Sequence, residues 1–195
     1  NSEPIYVNNF HSIFLSCTEM QRDLDLSRLQ SMCPDQLKFS NVSHLFFGPR
    51  GTGTTLHCAV PANLFYMVKG SKHWTFVSPR YSHLLQPAIA KNAYYTVSNL
   101  DFFNNRESLQ HIPREEVVLE EGDLLFNPTW YWHAVENLST YTIGVANRSN
   151  RFKFTNNIPF AIVYATSRRD AVRKAVAKKH DVDGGHDIPI VETAS

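Results

Sequence analysis

Long apolar runs are missing from this chain. No stretch approaches the roughly 20 residues that a membrane-crossing helix needs, so nothing reads as a transmembrane segment. One-sided charge is missing too. The 19 Lys and Arg against 18 Asp and Glu leave a net charge of +1, which gives no overall field to hold nucleic acid or an acidic membrane. Cysteine is scarce: Cys17, Cys33 and Cys58 are the three, and no CxxC pair exists. An odd, scattered set reads as free thiols in a reducing compartment, hence an intracellular protein. The first residue is Asn1 rather than Met. That reads as a processed product or a fragment, compatible with an organellar location after loss of a targeting peptide. Internal repeats and low-complexity tracts are absent. Asn-x-Ser/Thr triplets occur at Asn41, Asn137 and Asn147, about as many as chance supplies, and carry no conclusion on glycosylation.

What is present suits one globular core. Of 195 residues, 43% are apolar and 12% aromatic, too many for a disordered chain. Residues 1–40 read as a lead-in segment of mixed structure. A short helix is predicted over Thr18–Leu24, capped by Thr18, and Pro34 closes a second turn. Residues 41–150 read as a β core. Strands are predicted over Val42–Phe47, Thr54–Val60, Asn63–Lys69, Lys72–Ser78, Glu116–Leu119, Asp123–Phe126, Trp130–Glu136 and Thr140–Ala146. Gly70-Ser71 and Glu121-Gly122 carry the signals of two-residue hairpins. Residues 81–113 are less regular and read as an insert or lid, with a short helix around Tyr81–Leu85. Some eight short strands with Gly, Pro and Asn punctuation predict a mainly β fold, an antiparallel sandwich or jelly roll.

Residues 151–195 differ. Ser167–Lys179 follows a helical pattern, with Ser167 as cap and six basic residues against one acidic. The basic helix 167–180 and the extended tail 181–195 are candidate docking elements for a protein partner.

The informative residues lie in two blocks. The first runs from Gly51-Thr52-Gly53-Thr54-Thr55-Leu56-His57-Cys58-Ala59 through Asn63-Leu64 to Val68-Lys69-Gly70-Ser71-Lys72-His73-Trp74. The second is Gly122-Asp123 followed by Asn127–Asn137, with Trp132-His133 inside it. Side chains two apart on a strand share a face, so His57 and Ala59 point one way and Cys58 the other. His133 lies on a distant strand. Two imidazoles and a carboxylate on one face make the 2-His-1-carboxylate set that holds Fe(II) with open positions. Here the third position of such a set would carry only a methyl group.

The ordered series Gly51, Thr54, Leu56, His57, Asn63, Leu64, Val68, Gly70, Lys72, Trp74, Gly122, Asp123, Pro128, Trp132, His133 and Val135 resembles the JmjC-like (cupin-8) branch of the Fe(II)/2-oxoglutarate oxygenases. The resemblance covers about residues 40–147. It implies a double-stranded β-helix, with His57 and His133 as metal ligands. Lys72 and Thr54 would hold the distal carboxylate of 2-oxoglutarate. Asn63 would line that site, and Asn147 lies near a further polar contact. Two departures stand out: Thr55 replaces a proline, and Ala59 replaces the ligating Asp or Glu.

Ala59 leaves three readings. A degenerate site makes the domain a non-catalytic binding or structural subunit, which leads because losing a ligand is a simple route to inactivity. A second makes it an oxygenase or halogenase, with chloride in the vacant position. In a third, Glu136 or Asp101 reaches in. The Fe(II) and 2-oxoglutarate that the resemblance implies are both weakened by Ala59. Against complete degeneracy stands Lys72, because a buried lysine is costly without an anionic partner; the alternative is that Lys72 reaches solvent or pairs with a protein carboxylate. Trp74, Trp130 and Trp132 are expected to pack, as is Cys58. His44, His73, His83, His111, His180 and His186 are expected at the surface. Tyr94-Tyr95 and Phe102-Phe103 are expected to anchor the insert rather than cover the site.

Overall fold

The computed structural model describes residues 4–32, 38–88, 95–100, 102–103 and 106–149. The predicted C-terminal helix 167–180, the tail 181–195, Pro34, Cys33, Tyr94 and Asp101 lie outside the described residues. Along the chain come β1 (Val7–Phe10), α1 (Ser12–Ser16), α2 (Thr18–Arg22) and α3 (Leu26–Ser31). Then follow β2 (Phe39–Gly48), β3 (Gly53–Ala59), β4 (Asn63–Lys69) and β5 (Lys72–Val77). A 3-10 turn at Pro79–Leu84, β6 (Pro87–Ala88), β7 (Tyr95–Ser98) and a second 3-10 turn at Arg106–Leu109 form the insert. The chain ends its described part with β8 (Glu115–Leu119), β9 (Leu124–Asn127), β10 (Trp132–Asn137) and β11 (Thr142–Ser149). No helix among the described residues is long and apolar enough to cross a membrane.

The strands form two antiparallel sheets, in the orders β1-β2-β11-β4-β9 and β6-β7-β3-β10-β5-β8. This is the mainly β, double-stranded jelly roll that the strand pattern predicts. Apolar side chains fill both faces of the second sheet, by strand alternation. Between the sheets, Phe46, Phe65, Trp74, Phe76, Val135 and Ala146 pack together. On the far face, Leu56, Cys58, Trp130 and Trp132 meet Leu85 and Phe102 of the insert. Cys58 and the three tryptophans are therefore packing residues, as expected. The Trp132 indole N–H donates to the Ser82 hydroxyl at 2.9 Å, and that of Ser98 donates to the Leu85 carbonyl at 2.6 Å. The first bond pins the insert to the barrel wall, and the second ties two parts of the insert together.

Two hairpins predicted from turn residues are corners instead. β4 and β5, either side of Gly70-Ser71, belong to different sheets, as do β8 and β9 around Glu121-Gly122. Gly70 and Gly122 do take the left-handed backbone that such turns use, with φ of 76° and 93°. A turn residue fixes only that the chain reverses. Which neighbour the returning strand pairs with is set by distant strands: β4 pairs with β11 and β9, and β5 with β10 and β8. Three strands escaped the sequence reading. β1 lies in the lead-in segment and pairs with β2, while β6 and β7 lie in the insert. Thr18 is the first residue of α2 rather than its cap, which is Cys17. The insert helix at Tyr81–Leu85 is a 3-10 turn beginning at Pro79.

Candidate functional site

His57 and His133 meet. They sit directly opposite each other on the paired strands β3 and β10, with ring centroids 4.1 Å apart, and both are buried. The backbone sets the same tautomer in each. The Nδ1 of His57 lies 2.7 Å from the Thr55 carbonyl, and that of His133 lies 3.0 Å from the Tyr131 carbonyl. A carbonyl only accepts, so Nδ1 carries the proton and Nε2 keeps its lone pair. Metal-binding imidazoles use the same device. Burial pushes the pKa of His57 down to about 4, and burial with the neighbouring His57 lowers that of His133. Both rings are neutral at pH 7.

Strand alternation places Ala59 on the His57 face. Its cross-strand neighbour is Tyr95 of β7, whose ring centroid lies 4.8 Å from that of His57. Tyr95 thus lines the site, against the expectation that Tyr94-Tyr95 only anchors the insert. Phe102 does anchor, inside the outer core. The miss has a physical cause: β7 has four residues and follows an irregular stretch, so its pairing with β3 leaves no local signal.

The opposite sheet supplies polar groups. Asn63 of β4 lies across from Asn127 of β9 on one side and Arg148 of β11 on the other. Alternation puts Asn63 on the face of Phe65, and Arg148 on the face of Ala146, both members of the inner core. The Asn127 amide nitrogen is 3.4 Å from Nε2 of His133 and 3.2 Å from its Nδ1. Arg148 donates to Oδ1 of Asn9, which takes a left-handed φ of 58° at the end of β1. Burial pushes the Arg148 pKa down to about 10. Its positive charge also contributes to the lowered pKa of both histidines. Neither Asn127 nor Arg148 was singled out by the sequence, because an isolated Asn or Arg on a strand has no motif.

Lys72 lies deeper. It has no exposed surface, donates to Oδ1 of Asn137 and stands 5.4 Å from the centre of the Tyr6 ring and 5.8 Å from that of Phe65. The Asn137 amide donates onward to Thr52 at 2.9 Å. No carboxylate pairs with Lys72 among the described residues, and burial pushes its pKa down to about 7. Thr54 joins the inner face through an irregularity. Between His133 and Val135 the β3 register advances from His57 to Thr54, three residues against two, as a β-bulge does. Simple alternation from His57 would have turned Thr54 outward. Gly53 is required beside it, because a Cβ there would overlap the Val135 carbonyl. Asn147 points away from this site, its amide bonded to Ser43 at 2.9 Å.

A family model described as a cupin-like domain matches residues 1–147. The chain belongs to this cupin-like (cupin-8) family. JmjC domain-containing protein D of Dictyostelium discoideum is 31% identical over 110 residues, which cover 54% of this chain and 25% of that protein. The arginine-specific demethylase JMJ20 of Arabidopsis thaliana is 26% identical over 137 residues, covering 69% and 29%. The chain spans less than a third of the length of these relatives. Among solved structures, an oxalate oxidase overlaps 55% of this chain and 40% of that one, with 11% identity and a TM-score of 0.38.

Within this cupin-like domain the donor set does not fit Fe(II). Among the described residues, no three His, Cys, Asp or Glu side chains come together to hold a metal. Glu136 is three residues from His133, so alternation turns it to the other face. An amide N–H lies against Nε2 of His133, and the positive charge of Arg148 acts on both histidines. Of the other histidines, His83 and His111 are exposed as expected. His44 and His73 are only half-exposed: His44 lies 5.6 Å from the His11 ring, and His73 is 3.7 Å from Glu116.

Proposed function

We propose that this chain is a JmjC-like cupin domain without iron chemistry, serving as a binding module or structural subunit. One observation carries the reading. At the position where the family resemblance expects a metal-binding carboxylate stands Ala59, on the same strand face as His57 and beside Tyr95. Two neutral imidazoles without an anion hold a divalent cation poorly. Loss of an outer partner alone typically lowers metal affinity about 10–100-fold, and loss of a ligand lowers it at least as far. Lys72 supports retention of anion binding inside the barrel, since it is a buried cation with no counter-ion among the described residues. Such a cation suits the distal carboxylate of a dicarboxylate such as 2-oxoglutarate. The His57 end does not suit the metal that its keto acid would chelate. Protein docking through residues 167–195 belongs to the same proposal.

Anaerobic equilibrium dialysis of the full chain against Fe(II), followed by elemental analysis, tests the reading. The wild type is expected to stay far below one iron per chain. Ala59→Asp is expected to bind at least about tenfold more tightly. Stoichiometric iron in the wild type, with succinate released from 2-oxoglutarate on admitting oxygen, overturns the reading in favour of an oxygenase or halogenase. The shared Nδ1-to-carbonyl bonds of the two histidines are the observation on that side.

A further inference from the structure

The residues around the histidine pair make a second kind of site. Arg148 brings a positive charge close enough to lower the pKa of both histidines. Its hydrogen bond goes to the neutral Asn9 amide, and no carboxylate pairs with it among the described residues. Around it stand unused acceptors. Oδ1 of Asn63 and Oδ1 of Asn127 are both buried with no hydrogen-bond donor, and Asn127 is 3% exposed. A buried carbonyl oxygen left without a donor costs about 1–3 kcal/mol. Two on facing positions of β4 and β9, beside a cation without an anion, form a concentrated deficit. Nε2 of His57 adds a third acceptor, because the Thr55 carbonyl takes its Nδ1 proton. Ala59, on the same strand face as His57, carries only a methyl group. Asn63, Ala59, Tyr95 and Arg148 are each only partly buried.

We infer that the Arg148, Asn63, Asn127 and His57 side chains form a binding site for a small organic acid bearing a hydroxyl or amino group next to its carboxylate. The carboxylate takes the guanidinium, which presents paired donors matched to two carboxylate oxygens. The neighbouring hydroxyl has one hydrogen and donates it to Oδ1 of Asn127; a protonated amine in its place has further hydrogens for Oδ1 of Asn63 or Nε2 of His57. A metal ion answers neither need: it is repelled by Arg148 and leaves the guanidinium without an anion. Asn9 positions Arg148 from β1, so the edge strand of the lead-in segment becomes part of the site.

This inference rests on the iron-free reading, and the two fail separately. Stoichiometric iron in the wild type overturns that reading. Iron-free protein indifferent to the probe overturns this inference alone. The probes are lactate, with a carboxylate and a hydroxyl, and propionate, the same skeleton without the hydroxyl. Isothermal titration of the full iron-free chain is expected to give a lactate Kd of about 1 mM, near 4 kcal/mol for a ligand of six heavy atoms. Propionate is expected to bind at least about fivefold more weakly, for want of one hydrogen bond. Arg148→Met is expected to abolish both. If that variant does not fold, Asn127→Leu serves: lactate and propionate should then bind with the same affinity. No lactate binding to the wild type, equal binding of the two acids, or lactate preference intact in Asn127→Leu overturns the site.

Discussion

Lys72→Met is the substitution whose consequence is most closely fixed by the structure. The Lys72 ammonium has no exposed surface, and burial takes its pKa from an ordinary 10.5 to about 7. At about 1.4 kcal/mol per pKa unit, that gap sets on the order of 5 kcal/mol against the fold whenever the lysine is protonated in both states. The full penalty applies below pH 7. Between pH 7 and 10.5 the unfolded chain keeps the proton and the folded chain releases it. The unfolded state then binds more protons, so stability rises with pH. From pH 7 to pH 9 the gain is about 2 kcal/mol. Methionine fills similar volume without titrating, but it leaves Oδ1 of Asn137 without its donor, at about 1–3 kcal/mol. The variant should therefore be more stable than the wild type at pH 6, by about 2–4 kcal/mol, and less so as pH rises. Urea unfolding of both proteins from pH 6 to pH 9 measures this, and other titrating groups cancel in the difference. A wild-type-minus-variant difference that stays constant with pH would refute the reasoning. A dicarboxylate bound at Lys72 raises its pKa again, so saturating 2-oxoglutarate should flatten the wild-type profile.

Gly144→Ala should destabilise by about 1–3 kcal/mol, read by the same unfolding assay, because a Cβ there would overlap the Phe65 ring that fills the barrel. Cys58 should resist a thiol reagent under native conditions while Cys17 reacts. Cys58 is fully buried, with its thiol pKa raised by burial, whereas Cys17 is partly exposed. Labelling followed by peptide mass mapping distinguishes them.

Period-2 patterning and punctuation made much of the barrel legible. β4 (Asn63–Lys69) has the bounds that its apolar residues and flanking glycine and proline indicate, and β5 and β8 differ by one residue at an end. β4 and β5 are long enough to carry their own pattern and bury most of their apolar residues, while β8 buries only Leu119 and is marked by its β-branched pair and the turn after it. The histidine pair was legible for another reason: His57 and His133 sit inside motifs with fixed spacing. What stayed hidden depends on pairing between distant segments. The corners at Gly70 and Gly122 look locally like hairpins. Thr54 reaches the inner face through a bulge that only the β10 register reveals.

By itself, the sequence determined a mainly β core through its local period, and its resemblance to the JmjC-like family pointed to two imidazoles, a lysine and an alanine where an anion was expected. The tertiary structure decided what surrounds them. Tyr95 comes from the insert, Asn127 and Arg148 from the opposite sheet, and Asn9 from the edge strand. None carries a local signal, since a polar residue on a short strand acquires its role only from the residue that another part of the chain places against it.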